Sequence, residues 1–110
     1  MELCWHDLER RLLAATGADA ALDRALAEAF ARPVAEFTGS VEAARDLVAA
    51  ALPGWSLHLG FGVTGMFPYA ALTNNGVRIT SDAPTVPLAI LRSVVAAAAA
   101  APMPSPQPGI

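Results

Sequence analysis

Few residues in this 110-residue chain are suited to chemistry: one cysteine, Cys4, two histidines, His6 and His58, and a run of glycines. The run, Gly60-Phe61-Gly62-Val63-Thr64-Gly65, follows a strand-like segment and matches G-x-G-x-x-G. In a nucleotide site that pattern lets the backbone approach a pyrophosphate, and its last glycine opens a helix whose amides face the anion. Asp82 lies twenty residues after Gly62, where a ribose-binding acid would stand. The residues that follow contradict this reading. Met66-Phe67-Pro68-Tyr69 and then Asn74-Asn75-Gly76 leave no room for a helix and a parallel crossover. The run therefore reads as the loop of a β-hairpin, and no cofactor is expected.

Nucleophilic and metal chemistry fare no better. Cys4 and His6 are two apart on a helical segment and so point in different directions. A thiol–imidazole pair would need His58 brought close by the fold, with an acid to orient it. Two separated histidines and one cysteine, with neither H-x3-H nor C-x2-C spacing, do not make a tetrahedral metal set. No catalytic or metal-ligating residue is expected. The remaining candidates would contact a partner. Asp19 with Asp23, and Glu42 with Asp46, share a helix face at i, i+4, with Arg24 and Arg45 adjacent. Such pairs form either solvated surface or an acidic patch imitating nucleic-acid phosphate. His58 and Arg78 fall at the polar positions of two alternating segments. If those strands are neighbours, both emerge on one sheet face, to meet a partner or to bond carbonyls beneath a helix.

The elements that must position these residues follow from periodicity. Residues 2–15 carry Trp5, Leu8, Leu12 and Ala15 at helical spacing, closed by Thr16-Gly17. Residues 19–31 carry Leu22, Leu26, Ala29 and Phe30, with Asp19, Asp23 and Glu28 facing water and Pro33 as the stop. A third helix starts at Ser40, an N-cap whose hydroxyl accepts from first-turn amides. It presents Val41, Ala44, Val48 and Leu52, and ends at Pro53-Gly54. The period then changes to two, with Trp55, Leu57, Leu59 and Phe61 alternating with small or polar residues. Phe67–Thr73 is a second strand in which Pro68 marks an edge or a late start. Asn74-Asn75-Gly76 is a hairpin turn, because Asn and Gly tolerate positive φ. Val77–Thr80 is a third strand. A last helix over about 85–100, capped by Asp82 or Thr85, tolerates Pro87 in its first turn and presents Leu88, Leu91 and Val95. Residues 102–110 form a proline-rich tail after a single domain spanning 1–101.

The expected fold is α+β: a three-stranded antiparallel meander in the order α-α-α-β-β-β-α. Because the strands carry few charges on either side, helices are expected on both faces, as an α/β/α sandwich.

Composition bounds the function. Hydrophobic residues make up 55% and mean hydropathy is +0.44, so the chain is not disordered, yet no apolar run is long enough to span a bilayer. The start, Met1-Glu2-Leu3-Cys4-Trp5-His6-Asp7, meets acids before any long apolar stretch, unlike a signal peptide. A lone cysteine fits a reducing compartment, and the cytoplasm of a bacterial host is expected. Lysine is absent and alanine abundant, which reflects a GC-rich genome. Net charge is −3, made of −4 over residues 1–50 and +1 over 51–110, which argues against nonspecific nucleic-acid binding.

Residues 37–98 resemble a known family. Phe37-Thr38-Gly39-Ser40-Val41-Glu42-Ala43-Ala44 is similar to the opening of the phage ABA-sandwich domain: an aromatic, a hydroxyl residue, any residue, Asp or Ser, then an apolar residue, any residue and two alanines. Trp55-Ser56-Leu57 resembles its Trp-x-hydrophobic strand, and Ser81–Arg92 its closing helix. The longer glycine-rich loop and the short third strand depart from the pattern. The resemblance implies a phage or prophage origin and structural rather than catalytic motifs. It implies a small protein that binds and blocks a host component, such as an anti-CRISPR inhibitor docking on an effector complex. A nucleotide sponge and a morphogenetic phage part are the alternatives.

Overall fold

A computed structural model describes residues 5–61 and 67–100. Cys4, Gly62–Met66 and the proline-rich tail, on which the thiol, the end of the glycine run and the chain terminus were read, lie outside them. The order is α1 (Trp5–Ala14), α2 (Ala20–Phe30), α3 (Val41–Ala51), β1 (Ser56–Phe61), β2 (Pro68–Asn74), β3 (Val77–Asp82) and α4 (Val86–Ala100). This is the expected α+β order, with a meander of strand order β1-β2-β3.

The local signals act as expected. Ser40 caps α3 by accepting from Ala43 N–H at 3.1 Å. Thr85 caps α4 by accepting from Leu88 N–H at 3.4 Å. Asn75 (φ 51°) and Gly76 (φ 84°) form the tight turn between β2 and β3. Pro68 is the first residue of β2, which lies at the centre of the sheet, so it marks a late start rather than an edge. The third strand is longer than its sequence suggests and reaches Asp82.

The layering differs from the expected sandwich. Cross-strand partners share a face, so the register places Leu57, Leu59, Ala70, Leu72 and Ile79 on one side of the sheet. That side packs on α4, with Ala70 and Leu72 fully buried. The other side presents Ser56, His58, Tyr69, Arg78, Thr80 and Asp82, and among the described residues no helix covers it. The physical reason lies in α4. Its middle buries Leu88, Ala89, Ile90, Leu91, Val94, Val95 and Ala97, so it is apolar almost all the way round. Such a helix must be enclosed. It sits against β2 and β3 on one side and against α1 and α3 elsewhere, and α2 reaches the assembly through α1. α1 and α3 are used to enclose α4, and the second sheet face carries mostly small and polar side chains.

Two packing details fix the join. Ser93 is fully buried, and its Oγ lies 3.0 Å from the Ala70 carbonyl and 3.2 Å from that of Ala89, so a small polar residue sets the approach of α4 to β2. Trp5 and Phe30 meet with ring centroids 5.1 Å apart and tie α1 to α2. Val41, read as part of a buried stripe, is 37% exposed, and Leu47 takes its place in the core.

Candidate functional site

The open face of the sheet is built by period-two alternation. On β1 it receives Ser56, His58 and Gly60, on β2 Tyr69, Ala71 and Thr73, and on β3 Arg78, Thr80 and Asp82. His58 and Arg78 do emerge on one face, although their strands are not neighbours: β2 separates them. His58 lies in the row of Ala71 and Thr80, and Arg78 in the row of Ser56 and Thr73. Ala71, at the centre, is fully buried. Arg78 is exposed and its Nε donates to Thr80 Oγ1 at 3.3 Å. A shallow depression of about 370 Å³ is lined by Tyr69, Arg78, Thr80, Ser81 and Asp82.

Gly60, the one described glycine of the run, has a packing role. Phe61 pairs with Pro68 in an antiparallel ladder, so the intervening residues connect a hairpin. Gly60 pairs with Tyr69, and a Cβ at Gly60 would stand 3.0 Å from the tyrosine ring. The glycine makes room for the aromatic ring that crosses it, a pairing known from strand design.

The four acids proposed as a partner patch divide sharply. Asp19 is the N-cap of α2, and its carboxylate accepts from Ala21 N–H (3.0 Å) and Leu22 N–H (3.1 Å). Asp23 does not face water: it is 7% exposed. Its Oδ1 accepts from Thr38 N–H at 2.8 Å and from Thr38 Oγ1 at 2.7 Å. Thr38 Oγ1 in turn accepts from Asp19 N–H at 2.7 Å. A β-carbon at Gly39 would meet Ala18 Cβ at 3.1 Å, so the Phe37–Gly39 turn lies close on the start of α2. These bonds stitch a loop to a helix; Asp23 is taken up internally, whereas Asp19 stays exposed at the cap of α2. Glu42 and Asp46 do lie exposed on one side of α3, with Arg45 between them.

Arg92, not among the candidate site residues read from the sequence, is the most engaged cation. Its Nη1 donates to Asp82 C=O (2.6 Å), its Nε and Nη2 to Leu12 C=O (3.2 and 3.1 Å), and Nη2 also to Leu13 C=O (3.1 Å). The guanidinium thereby caps the C-terminal carbonyls of α1, where a cation also favours the helix dipole, and binds them to the end of β3. Burial pushes its pKa below the ordinary value, and the nearby Asp82 carboxylate pulls it back up. The sequence held a signal for it: Arg92 is the single charge in the closing apolar helix.

Among the described residues no group of three metal-ligating side chains converges, and no helix is long and apolar enough to cross a membrane. No family model, curated protein or solved structure matches the chain.

Proposed function

We propose that this protein is a non-enzymatic binding module of phage or prophage type. It docks on a host protein assembly and inhibits it, as an anti-CRISPR protein does on an effector complex. The observation that carries this reading is the one-sided sheet, whose described helices lie on one side of it while His58, Tyr69, Arg78 and Thr80 face outward. Mixed aromatic and polar groups on a firm scaffold suit recognition, because little order has to be imposed on binding. The provenance is inferred from the sequence resemblance of residues 37–98 to phage ABA-sandwich domains alone, since the uncovered sheet face departs from that architecture. The test is co-purification with reconstituted CRISPR effector complexes, together with a phage-protection assay. A stable complex without turnover is expected, weakened by His58→Glu or Arg78→Glu at an unchanged melting temperature. No complex with any effector and no protection would sink the proposal.

A second reading rests on the depression beside Tyr69 and Arg78, where a ring to stack on and a guanidinium fit a small anionic ligand such as a nucleotide. It requires a rise in melting temperature with at least one member of a nucleotide panel, and a flat panel removes it.

A further inference from the structure

The outer edge of β3 is complementary to itself, and we propose that it pairs with the β3 edge of a second copy of this chain across a two-fold axis at Thr80. The inference does not rest on the docking reading; both use Arg78, so His58→Glu, outside the β3 edge, is the variant that probes docking alone. β3 is an edge strand. The two-residue turn makes Asn74 and Val77 the closing hydrogen-bonded pair, so Val77, Ile79 and Ser81 turn their backbone groups towards β2. Ala83 N–H, donating to Pro68 C=O at 3.2 Å, continues that alternation. Arg78, Thr80 and Asp82 therefore turn theirs outward, in position to add a strand. Asp82 C=O already accepts from Arg92, and its second lone pair remains for a partner's N–H.

Charges on an edge ordinarily keep strands apart. Here they have opposite sign and stand four residues apart on the same face, about 13 Å along the strand. Arg78 makes no ion pair within the chain among the described residues, and the Asp82 carboxylate has Arg92 nearby without a direct salt bridge to it. An antiparallel copy centred on Thr80 places Arg78 opposite Asp82 of the second chain and, by symmetry, Asp82 opposite its Arg78. Moving the axis to Ile79 would set Arg78 against Thr80 and leave Asp82 opposite the turn at Gly76. Charge thus selects both the partner and the register.

The same register also covers Leu13 and Val77, two exposed apolar side chains near the edge. Below the edge runs a cleft of about 390 Å³ between α1, α4 and β3, in which Leu13 and Ala96 stand beside Glu9, Ser81 and Arg92. Leu13 is 66% exposed and Val77 52%. The incoming strand sets its Ile79 opposite Ser81 and its Val77 opposite Ala83, above that cleft.

Sedimentation equilibrium on the full chain tests this. Wild-type protein is expected to dimerise in the micromolar range. Arg78→Asp and Asp82→Arg each place like charges in both symmetric pairs and weaken association by about tenfold or more. The double variant R78D/D82R regains wild-type association, which no fault in folding would produce. Thr80→Pro removes an outward N–H that the β2–β3 ladder does not use, and abolishes the dimer while circular dichroism shows the monomer fold retained. A chain monomeric at every concentration, a double variant no tighter than the singles, or a dimer that survives Thr80→Pro overturns the proposal. If such a surviving dimer is lost on Leu59→Lys, the interface is the β1 edge instead.

Discussion

Asp23 and Thr38 show how a residue read as surface becomes structural. One carboxylate oxygen accepts two bonds from a buried threonine, and each bond to a charged group contributes more than a neutral one. Asp23→Ala leaves the Thr38 amide and hydroxyl without their acceptor and is expected to cost about 2–3 kcal/mol in urea unfolding. Asp23→Asn keeps an acceptor oxygen and costs less. Arg92→Lys makes a parallel case. A point charge on a flexible stem cannot reproduce a fork that binds Leu12, Leu13 and Asp82 together. We expect a loss of about 2 kcal/mol from Arg92→Lys, close to that of Arg92→Ala. Gly60→Ala gives a prediction of sign. With Tyr69 present the added methyl meets the ring and destabilises. In a Tyr69→Ala background the same change stabilises by about 0.5–1 kcal/mol, because alanine suits a strand better than glycine. A double-mutant cycle by thermal melting reads the inversion.

At the scale of elements, most of the chain was legible in one dimension. Ser40, Thr85, Asn75 and Gly76 act through atoms within a few residues of themselves, so their caps and turn follow from residue type. Gly76→Ala, at φ 84°, should cost about 1–2 kcal/mol in urea unfolding with no change in the sheet's own contacts. What could not be read locally was the use of each helix face. Asp23 shares its face with Leu26, Ala27 and Phe30, a spacing that marks it as inward-facing. Only its distant partner Thr38 makes that tolerable, because a buried carboxylate needs donors. The candidate site was legible to a similar depth. Alternation put His58 and Arg78 on one side of the sheet, whereas the intervening β2 and the tyrosine over Gly60 depend on strand order.

The described residues are arranged asymmetrically about the sheet, and stability should report that. Leu72→Ala, on the face against α4, is expected to cost about 2–5 kcal/mol. His58→Ala and Thr80→Ala on the open face should stay within about 0.5 kcal/mol of wild type. Comparable losses on both faces would contradict the one-sided arrangement. Few charges on the strands do not make both faces apolar. Ser, His, Thr and Tyr need no cover, and one helix that is apolar on every side needs a great deal.

From residue order alone came the helices, the meander and the turns, since periodicity, capping and φ preference act over a few residues and require no knowledge of neighbours in space. Only tertiary structure decided which helix lies at the centre, that Asp23 and Arg92 serve as internal ties, and which face and edge of the sheet stay open. Those outcomes depend on which groups, far apart along the chain, satisfy one another when water is excluded, and local sequence does not encode that pairing.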